Sequence, residues 1–359
     1  MSEAELPDDP VPVKVAKRAR VQAGWCTRLG SPLYGELIER VADDVESGGP
    51  FAALMTDPES DPLIDVPMLR LMGAAHRLAL NGSAPELARF YPSCGGTAHA
   101  DGAWEALLRL ARDRPELLRE HISRPVQTNE IGRSAPLSGG FAAVARDTGL
   151  PLRLLEVGAS AGLNLRFDHY RYETGGRAFG PPGSPVVLSG YWDAGDPPYD
   201  AEVRVVDRRG CDPHPVDPTS EEGRLTLLSY LWADQLDRVE RLRGALDIAR
   251  RVPVALERAD GCAWVERELA RASPGVASVV FHSVVMPYLS HEERERFAAA
   301  VRVAGERADT SAPVAWLRME YGGEECELRL TLWPGGGERL LATCGFHGLH
   351  VVWLEDRTG

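Results

Sequence analysis

The run Leu152-Arg153-Leu154-Leu155-Glu156-Val157, followed at once by Gly158-Ala159-Ser160-Ala161-Gly162, constrains the fold of this chain more than any other segment. A short apolar run without a helical repeat fits a strand buried in a parallel sheet. The five small residues after it let the backbone turn sharply and let a ligand approach the main chain. Leu163-Asn164-Leu165 then opens a helix-compatible stretch. The segment therefore reads as strand, tight turn, helix. A helix start would add free N–H groups and the positive end of a dipole. In open α/β sheets, ligands bind outside the carboxyl ends of the strands. The turn is thus the first place to look for a binding site.

The rest of the chain divides around residue 150. Residues 1–12, acidic and Pro-rich, read as a loose tail that lacks the basic start and apolar stretch of a secretory signal. Helical spacing follows over 13–46, broken at Gly30-Ser31-Pro32, with Ser31 as cap and Pro32 at the first helical position. Further helices are expected over 67–80, 104–121 and 137–148. After Pro151 the pattern changes. Strands are expected at 152–157, 203–206, 252–256, 277–281 and 313–319, alternating with helices at 221–251, 262–272 and 291–305. Residues 326–333 and 340–343, joined by Pro334-Gly335-Gly336-Gly337, read as a hairpin, with 349–354 as a further strand. Residues 174–185 read as an inserted loop. The expected fold is α/β: a mostly parallel Rossmann-like sheet with a C-terminal antiparallel hairpin, covered on both faces, plus a helical N-terminal region. The expected division is a helical cap region at 1–150 and an α/β domain at 151–359.

Composition narrows the class. With 44% hydrophobic and 26% charged residues the chain folds. Its net charge of −13 argues against binding a nucleic-acid backbone, which calls for a basic face. No run of about 18 apolar residues predicts a membrane span, and the expected location is cytoplasmic. The six cysteines form no C-x-x-C pair, so they read as reduced and structural.

The turn spells E-x-G-x-S-x-G. It is neither the dinucleotide fingerprint nor a Walker A loop. It resembles the first motif of class I S-adenosylmethionine-dependent methyltransferases, E/D-x-G-x-G-x-G, with Ser160 in place of the middle glycine. The same five residues also spell G-x-S-x-G, the nucleophile elbow of α/β-hydrolases. On that reading Ser160 is the nucleophile and the triad continues through Asp260 to His282. The methyltransferase resemblance implies that Glu156, Gly158, Ser160, Gly162 and Asn164 border the cofactor. It also implies a ribose-binding acid at the end of the second strand, where Asp207 closes the run 203–207 and Asp212 lies close behind. An adenine-side acid after the third strand falls on Asp260, which reads equally as a helix cap. A substrate-facing loop after the fourth strand falls on 281–288. Over nearly its whole length the chain is identified as a member of a bacterial family of unknown function. The residues that carry this are Ser31-Pro32-Leu33-Tyr34, Gln127-Thr128-Asn129-Glu130, 156–165, Trp232-Ala233-Asp234-Gln235 and His282-Ser283. That resemblance supplies the unit and no activity.

Candidate chemistry outside the turn is sparse. Gln127 to Arg133 gathers amide, hydroxyl, carboxylate and guanidinium groups. Glu130 and Arg133 would orient a small polar substrate, Arg133 by clamping a carboxylate, or Thr128 or Asn129 would simply cap a helix. His282 suits a general base and Tyr288 stands beside it on the same loop. Asp212-x-His214 invites a metal, but a site needs three or four ligands and no second cluster accompanies it, so no metal is expected. The expected function is an S-adenosylmethionine-binding enzyme acting on a small molecule. The alternatives are a cyclase or lyase that releases methylthioadenosine, a non-catalytic binding protein, and a serine or metal-dependent hydrolase. The oligomeric state stays open, a homodimer through the helical half included.

Overall fold

The computed structural model describes residues 9–55 and 66–355. It contains two compact units, each assembled from two stretches of chain. Residues up to 128 join 220–242 in a helical unit, and 129–219 join the chain from 243 onward in a sheet unit. This differs from a single boundary near 150.

In the helical unit, α1 (Val11–Arg28), α2 (Pro32–Glu46), α3 (Ala52–Met55), α4 (Pro67–Leu80), α5 (Pro85–Ala88), α6 (Ala100–Asp113) and α7 (Pro115–Ile122) follow in order. Proline opens four of them, where the missing N–H is one that no helix satisfies. Pro115 also explains why the helix expected over 104–121 is two helices. The tail expected through residue 12 ends earlier, since α1 begins at Val11; residues 1–8 lie outside the described residues. Leu37, Ile38, Leu71, Leu78 and Leu107 pack in one core. Ser31 precedes α2 but does not cap it with its own side chain. Its hydroxyl donates to Asp234 Oδ1 at 2.5 Å, and Asp234 Oδ2 accepts the Leu33 N–H at 3.1 Å. The cap thus comes from the returning segment.

The sheet unit begins with α8 (Ser134–Thr148) and β1 (Leu152–Val157). Next come β2 (Arg171–Thr174), β3 (Arg177–Phe179) and β4 (Val187–Ser189), which pair in a small sheet of order β3-β2-β4. Then follow β5 (Trp192–Ala194) and β6 (Val205–Asp212), and the chain passes through α9 (Glu221–Ser229) of the helical unit. It continues with α10 (Leu236–Ala249), β7 (Ala255–Arg258), α11 (Gly261–Glu268), β8 (Ala277–Ser283), α12 (His291–Glu306), β9 (Val314–Tyr321), β10 (Cys326–Trp333), β11 (Gly337–Cys344) and β12 (Val351–Trp353). The large sheet has the order β5-β12-β11-β10-β9-β8-β1-β6-β7. From β7 to β9 every pairing is parallel, while β9 to β12 form an antiparallel meander. The protein is therefore mixed α/β with a Rossmann-like core. Alternation along β1 sends Leu154 to the face that packs Leu137 and Phe141 of α8, and Leu155 to the face that packs Trp264 of α11 and Phe297 of α12. No described helix is long and apolar enough to cross a membrane.

Four differences from the sequence expectations matter for the site. The stretch after the glycine turn is a 3₁₀ segment, Asn164–His169, kinked at Arg166, instead of an α-helix. The expected loop at 174–185 contributes to the small sheet. The helix expected over 221–251 breaks between α9 and α10, so Trp232 and Gln235 lie in the break. The second strand runs on to Asp212, with Arg208 paired to Asp168 of the 3₁₀ segment and Arg209 to Asp207.

Candidate functional site at the carboxyl ends of the central strands

The chain leaves β1 through three left-handed residues, Gly158 at φ +69°, Ser160 at +50° and Gly162 at +64°. Glycine takes this conformation without penalty, whereas serine does not. Ser160 is held there from two sides. Its N–H donates to Asp212 Oδ2 at 2.9 Å, and its carbonyl accepts the Val216 N–H at 3.0 Å. Asp212 Oδ1 meanwhile accepts the His214 N–H at 2.8 Å. Asp212 is thus the brace that joins the turn after β1 to the loop after β6. A side chain on Gly158 would meet Val285 Cγ2 at 2.5 Å, so the loop after β8 lies directly against the turn.

Glu156, the last residue but one of β1, is 2% exposed. Burial pushes its carboxyl well above the usual carboxylate range, against the opposing pull of the Arg166 guanidinium and with Asp212 adding to the rise. The Asn164 amide hydrogen-bonds this carboxyl, and Asn164 Oδ1 accepts the Ser134 hydroxyl at 2.7 Å. Glu156 Oε2 has no hydrogen-bond partner among the described residues. A buried acceptor in that state costs about 1–3 kcal/mol.

Arg166 lies below the turn. Its Nε donates to the Val252 carbonyl at 2.9 Å, and Nη1 donates to those of Ala161 and Gly162 at 3.2 and 2.7 Å. The residue is 3% exposed, and burial lowers its pKa. On the other side, Asn129 Oδ1 accepts the Leu163 N–H at 2.9 Å. Glu130 caps the 3₁₀ turn Ile131–Arg133 by accepting the Gly132 N–H at 2.9 Å. The cap expected at Thr128 or Asn129 is thus formed by Glu130, and that carboxylate is occupied by the backbone. Arg133 is fixed by two carbonyls, Phe346 to Nε and Ser283 to Nη1, both at 3.0 Å. Its charge reaches Glu156, Tyr321 and Cys326.

His282 does not face this space as a base. It is fully buried in β8. Its Nε2 accepts the Trp316 indole N–H at 3.0 Å and its Nδ1–H donates to Glu320 Oε1 at 2.6 Å. Both ring nitrogens are thus engaged within the protein. Glu320 also accepts the N–H groups of Val285 at 2.9 Å and Met286 at 3.3 Å. The pair therefore pins the loop after β8, including Val284 at φ +56°, a strained setting for a β-branched residue. Tyr288, 54% exposed, lies at the end of that loop.

The two expected acids fare differently. Asp207 pairs in register with Arg153 near the start of β1 and bonds Arg153 and Arg209 at 3.3 and 3.1 Å. It lies at the amino ends of the strands, the wrong end for a ligand at the turn; the acid that ends β6 is Asp212. Asp260 follows β7 and caps α11 by accepting the Ala263 N–H at 2.9 Å. A Cβ on its neighbour Gly261 would approach Val157 Cγ1 to 2.7 Å, so this cap stands beside the end of β1. The structure thus brings Glu156, Gly158, Ser160, Asn164, Arg133 and Asp260 to one edge. It leaves Asp207 at the other edge and His282 in the core. Among the described residues no cluster of three or more His, Cys, Asp or Glu side chains is arranged to hold a metal ion, Asp212 and His214 included. Sequence reasoning missed Glu320 and Arg166. Glu320 lies within an expected strand's extension, and only its buried partners reveal it.

No curated protein and no solved structure matches the chain. One family model matches residues 16–353, and the chain belongs to that family, described as uncharacterized protein conserved in bacteria (DUF2332).

Proposed function

We propose that the carboxyl edge of β1, β6 and β8 binds S-adenosylmethionine and that the protein is an enzyme transferring a carbon from it to a small molecule. The observation that carries the reading is Glu156, a buried carboxyl with one unpartnered oxygen immediately before a glycine turn. An ammonium group is the donor that would satisfy Oε2 and ionise the carboxyl. The parallel order around β1 and the left-handed turn add support, because together they let a ligand lie against the main chain. When bound, the sulfonium would supply an already activated carbon. The chain's own contribution is then positioning. Glu156 receives the amino group, Asp260 stands beside the end of β1 as a further polar contact, and Arg133 presents a fixed guanidinium to an acceptor's carboxylate. Asp212 keeps Ser160 in its strained conformation and, with both oxygens on backbone N–H groups, acts on the ligand through the turn.

The serine-hydrolase alternative asks His282 for a free nitrogen, and both are engaged. The test is thermal melting with S-adenosylmethionine or S-adenosylhomocysteine. A ligand at about 100 times its Kd stabilises the native state by about 2.7 kcal/mol. A clear upward shift that Glu156→Ala abolishes supports the reading, and mass spectrometry of the products then separates methyl transfer from cyclisation with release of methylthioadenosine. No shift with either nucleoside at millimolar concentration refutes it.

A further inference from the structure

A cleft of about 600 Å³ opens beside the edge strand β7 and adjoins the glycine turn, where a Cβ on Gly162 would stand 3.1 Å from Leu256 and 3.4 Å from Val254. Its walls include Val216, Val254 and Leu256 with three prolines, and Arg166, Asp217 and Arg250 supply its charges. The cleft has a structural cause. An α-helix is the usual cover after a glycine turn in such a sheet, and here a six-residue 3₁₀ segment stands instead. Pro215 and Pro218 fix φ at two positions of the loop after β6 that forms one wall.

Arg166 gives the cleft its chemistry. It is almost wholly buried and makes no ion pair with a carboxylate among the described residues. Its Nε and Nη1 are spent on three backbone carbonyls, while Nη2 has no protein acceptor among those residues. Removing a charge from water costs several kcal/mol unless a partner compensates. A cation anchored on one side, with two N–H groups left over and lining an apolar cleft, has the make-up of an anion site. Asp217 accepts the N–H and hydroxyl of Thr219 at 2.9 and 2.6 Å and places a negative charge in the same cleft. Arg166 and Arg250 against Asp217 leave the lining with one net positive charge, which suits a monoanion better than a dianion.

We infer that this cleft binds a small carboxylic acid with an apolar body, its carboxylate on Nη2 of Arg166 and its body against Val216, Val254 and Leu256. The site is independent of the reading of the glycine turn, although one guanidinium serves both, since Arg166 also holds the Ala161 and Gly162 carbonyls.

The probe is 4-fluorobenzoate, followed by fluorine NMR on the full chain, with 4-fluorobenzamide as the neutral control. The expected result is saturable binding with Kd of about 1 mM or tighter, and binding of the amide at least tenfold weaker. Arg166→Lys, which keeps the charge but loses the planar fork, weakens 4-fluorobenzoate about tenfold. Because Arg166 also braces the turn, Val254→Trp provides a second variant that fills the cleft and leaves the guanidinium alone. With an unchanged melting temperature it should abolish saturation. Equal binding of acid and amide overturns the inference, as does wild-type affinity in folded Val254→Trp. Tighter binding of 4-fluorophenyl phosphate than of the benzoate overturns the monoanion assignment. Failure here leaves the nucleoside melting test untouched, so the two proposals fall separately.

Discussion

Replacing Gly158 by alanine probes how the turn is built. Two costs follow from its geometry. At φ +69° an L-residue carries a left-handed penalty of about 1–2 kcal/mol. The new methyl would also stand 2.5 Å from Val285 Cγ2, and overpacking of this kind costs about 1–3 kcal/mol. The stiffer unfolded chain returns about 0.4–1 kcal/mol. The net expectation is a loss of about 1–5 kcal/mol. Val285→Ala removes the obstructing methyl and leaves the backbone strain. In the double variant the clash disappears, so the two costs should fall short of additivity by about 1–3 kcal/mol. Urea unfolding followed by tryptophan fluorescence measures this, with the midpoint read at an unchanged slope. Distant sites add within about 0.5 kcal/mol. Additivity at that level, or a negligible cost for Gly158→Ala, would refute the packing of Val285 on the turn.

Burial lowers His76 in the helical unit to about 4, its Nδ1–H donating to the Ser229 and Leu231 carbonyls and its Nε2 accepting from Ser93. A base whose folded pKa is depressed contributes stability above its unfolded value of 6.5 and loses it as pH falls towards 4, in total about 3 kcal/mol; a flat urea midpoint between those pH values would contradict the assignment. Glu156 has the opposite sign. Its folded pKa is raised, so wild type loses stability as pH climbs above 4.5, and Glu156→Gln should gain on wild type over that range, as read from paired melting curves. Asp260→Ala should cost about 1 kcal/mol for the lost cap while Asp260→Asn keeps most of it; a difference between the two in nucleoside affinity alone would separate ligand contact from capping. Glu320→Ala should destabilise by about 1–3 kcal/mol, because it strands the Nδ1–H of buried His282, and equal stability of the variant would remove the brace assigned to that pair.

Much of the fold was legible because buried parallel strands announce themselves. β1 and β8 are short apolar runs, and both stand where the pattern placed them. β6 was harder. Its apolar start is followed by Asp207-Arg208-Arg209, which looks like a strand end, yet the strand continues with Arg208 paired to Asp168 and Arg209 to Asp207. The same apparent strand end makes Asp207 the first candidate acid, with Asp212 close behind. The glycine turn was visible from its residues alone, and Glu156 with it. His282 was misread because a lone histidine gives no hint of whether its ring faces solvent or, as here, a tryptophan and a glutamate more than 30 residues away. The small sheet after the turn escaped notice for another reason. Its strands are three or four residues long, too short for a period to show.

The helical unit is finished by residues made long after its first helices. Asp234 reaches Ser31 across 203 positions, and the carbonyl of Leu231 reaches His76 across 155. At about 5–20 residues per second, a ribosome needs roughly 10–40 s to supply the first of these partners. Until then α2 lacks its cap and His76 its acceptors, while most of β1 to β6 has already emerged. Vectorial synthesis therefore cannot complete this protein from the front. The segment that caps α2 arrives only after β1, β5 and β6, three of the nine strands of the large sheet, have been made.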